Sequence, residues 1–409
     1  MTGPILFEIT AADSHQQIIL PVIRLLRARG IPVIVYSDCE LLRTASDTAA
    51  LQREGVPFVR MAETPLPIPM PEWGAAARPF RQRVPSEVKR LHPSLIVVLN
   101  DRNFPSNLYV EAARRLSIPS LLLQESLRKD LFQRPPWRKL YSRWIRKMRL
   151  GIEEGLRHYG QGHCDAVAAL GETSREYFLR VGVAERKITI TGNPRFDQLA
   201  SADFSAEAQR IRSALGYSPG DFLLTFLSSP IERMLIVSAE EKHDALVRLL
   251  GWARTLREDP DWKNLRLAFK LHRGESVPFF REMLAHEGAT GFALVAEEPL
   301  YPLLRASQAA LMFSTTAGLE AALLKVPVGM LGLSKPLDDW NFVSRGVAAN
   351  VRSVEGLAAF LRRAREDPTF GVRGANAAAF YIANFGCAAE AVAHLIARMA
   401  GYIDPSNVE

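Results

Sequence analysis

Short runs of β-branched and aliphatic residues recur along the chain with helix-length stretches between them, and this alternation limits the fold more than any other feature. It is the pattern of parallel sheets crossed by helices, and it predicts an α/β protein. A first series of strands is expected at Ile5–Ile9, Val33–Tyr36, Leu95–Leu99, Ser120–Gln124, Ala166–Leu170 and Ile188–Thr191. A second is expected at Leu223–Leu227, Leu267–Leu271, Phe292–Ala296, Ala309–Phe313 and Val328–Leu331. Helices are expected at Gln16–Arg29, opening after Asp13-Ser14, at Asn107–Leu116 and at about Cys387–Met399. Prolines at 65, 67, 69 and 71 make 64–73 a surface loop, because proline neither pairs within a sheet nor continues a helix.

A chain of 409 residues is too long for one ordinary core and fits two domains. The polar stretch between Asn193 and Pro219 separates the two strand series. The expected division is 1–195, 196–385, and a last helix and tail over 386–409 that stays on the second domain or crosses back to the first. No solenoid-period repeat is present.

Charge becomes informative once it is located. The formal net charge is +7, and residues 128–150 carry nine basic side chains against the single acid Asp130, so this one element supplies all of the excess. With 48% apolar and 23% charged residues, long disorder and collagen-like or coiled-coil architectures are excluded. No apolar run approaches the ~18 residues of a membrane span, and the start of the chain lacks the marks of a signal peptide. Cys39, Cys164 and Cys387 are far apart and lack zinc-ligand spacing, which points to a reducing compartment.

In open α/β sheets ligands bind beyond the carboxyl ends of strands, so those positions hold the candidate chemistry. After the first strand, His15 is a candidate general base, with Asp13 orienting it or acting as base itself. The bland alternative is that Asp13 or Ser14 caps the helix. After the fourth strand of the second series come Ser314, Thr315 and Thr316, then Gly318 and Glu320 on a helix of small residues. Hydroxyls at a helix start suit a diphosphate, and an acid isolated among apolar residues suits a ribose diol. The alternative is an exposed Glu320 on a half-buried helix. Ser228, Ser229 and Arg233 follow one strand, and Lys270 and His272 another, with phosphate contact and solvated loop charge equally open. The single Asp-x-Asp, Asp259-Pro260-Asp261, reads as a loop, so no metal site is expected. Walker, Gly-x-Ser-x-Gly and Gly-x-Gly-x-x-Gly patterns are absent.

These pieces resemble the two-domain GT-B glycosyltransferase superfamily. They are most similar to the branch holding bacterial surface-polysaccharide transferases, CDP-glycerol glycerophosphotransferases and UDP-N-acetylglucosamine 2-epimerases. The resemblance rests on Ile190-Thr191-Gly192-Asn193-Pro194-Arg195-Phe196-Asp197 at the junction and on Lys270-Leu271-His272-Arg273 where the family often has Lys-Pro-His-Pro. It also rests on Ser314-Thr315-Thr316 through Glu320 to Lys325-Val326-Pro327-Val328, and on Gln124-Glu125-Ser126 in the first half.

It implies two Rossmann-like domains facing a cleft, with a nucleotide-sugar donor held mainly by the second and an acceptor mainly by the first. Ser314–Thr316 would hold the donor phosphates, Glu320 the ribose, and His272 would lie near the leaving group. Ser228, Ser229, Arg233 and Lys270 would join the donor site, His15 or Asp13 would activate an acceptor hydroxyl, and Gly192, Asn193 and Pro194 would form the hinge. No cofactor and no obligatory metal are implied.

Pro135-Pro136 can open the basic element as a helix over 135–150. At ~100° per residue, Trp137, Leu140, Tyr141, Trp144, Ile145 and Met148 share one arc. Arg138, Lys139, Arg143, Arg146, Lys147 and Arg149 fill the other. Such a helix suits an anionic membrane surface, with Trp137, Tyr141 and Trp144 as aromatic anchors. Packing of the aromatic arc on the first domain is the alternative, and nucleic acid is set aside because no recognition motif accompanies the charges.

The expected function is a cytoplasmic, peripherally membrane-bound glycosyltransferase, inverting and metal-independent, moving a sugar from a nucleotide to a cell-surface glycan or lipid-linked acceptor. The alternatives are a CDP-glycerol-type polyol-phosphate transferase, a UDP-N-acetylglucosamine 2-epimerase-like enzyme, and a non-catalytic nucleotide-sugar or membrane-binding module.

Overall fold

The computed structural model describes residues 3–42, 48–62, 65, 78–128, 158–233, 237–288, 292–333, 338 and 340–402. The chain forms two compact units, one of residues 1–198 with 380–409 and one of residues 199–379. The basic element, with Trp137, Arg138, Lys139, Tyr141, Arg143, Trp144, Arg146 and Lys147, lies outside the described residues, as does nearly all of the proline-rich stretch. Among the described residues no helix is long and apolar enough to cross a membrane.

The first unit is built on a seven-stranded sheet, β1 (Ile5–Ile9), β2 (Val33–Ser37), β3 (Phe58–Arg60), β4 (Leu95–Val98), β5 (Ser120–Leu123), β6 (Ala166–Ala169) and β7 (Ile188–Ile190). Its spatial order is β3-β2-β1-β4-β5-β6-β7 and every pairing is parallel. The second unit has six parallel strands, β8 (Phe222–Leu227), β9 (Leu265–Lys270), β10 (Phe292–Val295), β11 (Ala309–Met312), β12 (Val328–Leu331) and β13 (Ala349–Val351), ordered β10-β9-β8-β11-β12-β13. Both sheets reverse direction beside their first strand, which is the doubly wound Rossmann-like arrangement.

Both faces of each sheet are covered, which is why the strands read as continuous apolar runs rather than alternating ones. In β1 the odd residues Ile5, Phe7 and Ile9 pack against the helix Ala12–Ala28, while Leu6 faces the helices Arg78–Leu91 and Ser106–Arg115. In β8, Phe222, Leu224 and Phe226 face the helices Ala239–Glu258 and Val354–Glu366, and Leu223 faces the helices Ser205–Ala214 and Leu300–Ala306.

Two strands were not expected from sequence. β3 and β13 are three-residue edge strands, too short to stand out from their surroundings. A second difference is the first helix, which starts at Ala12 rather than Gln16 and has Ala11 as an N-cap without a side-chain cap. Asp13 and Ser14 therefore lie inside the first turn and do not cap it. The turn is instead tied back by the Thr10 N–H, which donates to Nδ1 of His15 at 3.2 Å.

The last helix, Ala388–Met399, packs in the first unit beside Ala12–Ala28, with Val392, Leu395 and Ile396 in their shared core. Burying each such side chain contributes about 1.5–3 kcal/mol. Asp197 fixes the start of this helix. Its carboxylate accepts from the N–H groups of Gly386 (3.1 Å), Ala388 (3.1 Å) and Ala389 (2.8 Å). Gly192 has φ +78°, and a Cβ there would meet the Ala383 carbonyl oxygen at 2.1 Å.

Removing this remote cap should loosen the C-terminal helix. Asp197→Ala is expected to lower unfolding free energy by about 1–2 kcal/mol in a urea titration, with faster amide exchange over 386–392.

Candidate functional site

Each unit presents polar side chains at the carboxyl ends of its strands. In the first unit, His15 is buried on the first turn of its helix with both ring nitrogens engaged. Because Nδ1 accepts from Thr10, the ring proton sits on Nε2 and is donated to Oε2 of Glu125 at 2.8 Å. Glu125 follows β5 and also accepts from Arg128 at 2.9 Å, whose guanidinium lies 3.8 Å above the Tyr159 ring. Burial alone would raise the Glu125 carboxyl, but the His15 hydrogen bond and the hydrogen bond and charge of Arg128 outweigh it and hold the group below its ordinary value. Glu125 and Arg128 are the partly exposed members of this chain, and His15 is its buried end. The Asp13 side chain lies outside the described residues.

Sequence reasoning missed a second set of acids. Glu8 sits in β1 two residues beyond Leu6, on the same face, and Asp38 follows β2. Both are fully buried. Glu8 Oε1 accepts from the Ser106 hydroxyl at 2.9 Å, and Glu8, Asp38 and Tyr109 lie close enough to act on one another. Burial pushes Asp38 up to about 7, with Tyr109 and Glu8 offsetting part of that rise. Burial, and then the Asp38 charge, push Glu8 well above the usual carboxylate range. The visible signal was an acid inside an otherwise apolar buried strand, since an unpaired charge there is neutralised rather than solvated. Asp101, after β4, is spent on structure. Its carboxylate accepts from the N–H groups of Gly160 (3.0 Å) and Gly162 (2.6 Å).

Gly192, Asn193 and Pro194 are likewise structural and lie inside the first unit. Asn193 accepts from the Arg195 N–H at 3.0 Å and donates to the Glu125 carbonyl at 3.0 Å, which ties this turn to the end of β5.

In the second unit the strand order reverses between β8 and β11, the position where doubly wound sheets leave room for a ligand. Leu227 pairs with Met312, so Ser229 and Ser314 leave the sheet at the same level from adjacent strands. Each is only 4% exposed, and neither hydroxyl has a hydrogen-bond partner among the described residues. A buried hydroxyl left unpaired costs about 1–3 kcal/mol, and two side by side call for an occupant.

Ser228, by contrast, is used internally. Its hydroxyl accepts from the His272 N–H at 2.9 Å, joining the loops after β8 and β9. His272 Nδ1 accepts from the Gly274 N–H at 2.9 Å, which leaves Nε2 as the N–H that can be presented to a ligand. Burial lowers the His272 imidazole below its ordinary value, with Glu275 opposing, so the ring is neutral at pH 7.

Glu320 is buried in the helix Ala317–Leu323, not solvent-facing. Thr315 and Thr316 precede it, half-buried. That helix has seven residues, so the side chains rather than a macrodipole make this a site. Gly318 serves packing, since a Cβ there would meet Met312 Sδ at 2.3 Å. Lys270 turns away from the expected phosphate position and donates to the carbonyls of Ala296 (2.9 Å) and Glu298 (2.6 Å). Arg233 is exposed beside Glu232. The structure thus brings together Ser229, Ser314 and the loop of His272, and assigns Lys270 and Gly318 to the frame.

Residues 16–194 match the glycosyl transferase 4-like domain family. No curated protein matches the chain by sequence. Among solved structures, a Listeria monocytogenes protein assigned as a UDP-N-acetylglucosamine 2-epimerase is 16% identical, with a TM-score of 0.69 over 99% of this chain and 98% of that one. The Neisseria meningitidis UDP-GlcNAc 2-epimerase bound to UDP-GlcNAc is 15% identical, with a TM-score of 0.59 over 97% of this chain and all (100%) of that one. Anabaena HepE in complex with UDP-glucose is 14% identical, with a TM-score of 0.61 over 98% and 100%. The shared property at these identities is the fold, two Rossmann-like units of the GT-B class.

The Glu8–Asp38 pair generates a pH dependence of stability. A carboxyl whose folded value is raised stabilises below its unfolded value and loses that contribution as pH climbs through the folded value. Wild-type unfolding free energy should therefore fall between about pH 4 and pH 7 on account of Asp38, and Asp38→Asn should flatten that segment in denaturant titrations at fixed ionic strength.

Proposed function

We propose that the second unit binds a UDP-sugar and that the protein inverts the sugar carbon bearing the N-acetyl group, in the manner of a UDP-N-acetylglucosamine 2-epimerase. The observation that carries nucleotide binding is the pair of buried, unpartnered hydroxyls of Ser229 and Ser314 at the β8/β11 reversal. A diphosphate, rich in acceptor oxygens, satisfies two such donors together. His272 offers its Nε2–H to the same phosphates, and Glu320 takes the ribose diol. No metal is needed in this assignment, because neutral donors supply the contacts.

Isomerisation is favoured over transfer by the whole-chain similarity to epimerases, whose length this chain matches almost end to end. The reaction takes the proton from C2 while the C2–H electron pair forms C1=C2 and expels UDP from C1; UDP then returns to C1 as a proton is added to the other face of C2.

A second reading, glycosyl transfer, is supported by the match of 16–194 to a glycosyl transferase domain and by the basic element. A segment rich in both cations and aromatic residues suits an enzyme that meets a lipid-linked acceptor, whereas an isomerase acting on a free nucleotide sugar has no use for an anionic surface.

Incubation with UDP-GlcNAc in D2O separates the two. Deuterium at C2 together with the manno epimer, read by proton NMR, supports isomerisation. Release of UDP only when a glycan or lipid-linked acceptor is added supports transfer. Ser229→Ala and Ser314→Ala should each weaken UDP roughly tenfold by calorimetry. Both should leave the thermal midpoint of the nucleotide-free protein unchanged or higher, because each removes a hydroxyl that is unpaired without ligand.

A further inference from the structure

The loops after β8 and β9 carry Ser229 and His272, and a buried ionic cluster lies beneath them. Lys242, in the first turns of the helix Ala239–Glu258, is 3% exposed at its side chain. Its ammonium donates to both oxygens of Glu275, at 2.8 and 2.7 Å, and to Glu232 at 2.7 Å. The Glu275 side chain is 2% exposed and that of Glu232 21%. Glu232 belongs to the loop after β8 and Glu275 to the loop after β9, so one ammonium bridges both.

Three charges in so dry a place are a poor way to gain stability. Desolvation offsets most of the attraction, and apolar residues of equal volume commonly do as well. What the cluster does supply is direction. An ammonium with three donors fixes two carboxylates at set distances, and each carboxylate fixes its loop. The loops also meet elsewhere. Ser228 accepts from the His272 N–H at 2.9 Å, and a Cβ on Gly274 would stand 3.3 Å from Pro230 Cγ.

We propose that Lys242, Glu275 and Glu232 form a positioning triad that holds the Ser229 and His272 loops in register for the phosphates of a nucleotide. The inference rests on the nucleotide reading of this site, and it extends that reading to residues that touch no ligand. Lys242 locks the phosphate-facing edge from below, and loss of the lock lets the two loops move independently.

The test uses the full chain with Lys242→Met and the charge-compensated double variant Lys242→Met/Glu275→Gln, since the single variant strands two carboxylates and can fail to fold. Hydrogen exchange is read at the amides of Ile231, His272 and Gly274, and affinity is measured for UDP and for uridine. In the double variant, exchange at these amides should quicken at least tenfold while the helix Leu300–Ala306 is unchanged. UDP should bind at least fivefold more weakly, with uridine unaffected. Equal weakening of UDP and uridine, or unchanged exchange in both loops, would overturn the positioning role. If wild type binds no UDP, the nucleotide reading fails, and the loop exchange still decides whether the triad holds the loops.

Discussion

The crossover helices of a parallel sheet cover both of its faces, so the one place it can meet a ligand is beyond the carboxyl ends of its strands. In each unit the order turns back beside the first strand, and helices leave in opposite directions from that point. This topological gap, rather than any single bond, decides where polar side chains can gather. In the second unit it gathers Ser229 and Ser314 from adjacent strands, both dry and unpaired. In the first it gathers the His15–Glu125–Arg128 chain and, one layer deeper, the Glu8–Asp38 pair.

The two units spend their buried polar groups differently. Around the second sheet, buried acids meet a cation, as Glu275 and Glu232 meet Lys242. Around the first, burial raises the Glu8 and Asp38 carboxyls, the Arg83 charge offsets only part of this at Asp38, and the balance is restored by protons. A polar atom under a sheet edge can thus serve as frame, proton store or ligand contact. Its partners decide which. Asp101, Asn193, Lys270 and Ser228 have internal partners that account for them, whereas Ser229 and Ser314 do not.

Much of the architecture could be read from the chain, because strands buried on both faces announce themselves as unbroken apolar runs. The short edge strands at 58–60 and 349–351 could not, since three residues at a sheet margin carry too little pattern. Legibility of the site was more uneven. Ser229, Ser314 and Glu320 could be singled out because they follow apolar runs directly. Lys270 was misjudged because alternation along a strand gives the face of a side chain but not the carbonyls it reaches. The Glu125 partnership with His15 spans 110 positions in sequence, and no local pattern predicts so distant a contact. Glu8 stood in plain view inside Ile5–Ile9, yet its meaning depended on Asp38, which only the β1–β2 pairing brings near.

The central claim is that the unpaired Ser229 and Ser314 hydroxyls mark where a nucleoside diphosphate binds. The most direct measurement is a crystal structure of the protein soaked with UDP. The account predicts diphosphate oxygens within hydrogen-bond distance of both hydroxyls, with the His272 Nε2–H turned toward them. UDP bound elsewhere, with Ser229 and Ser314 contacted only by water or by protein, would contradict it.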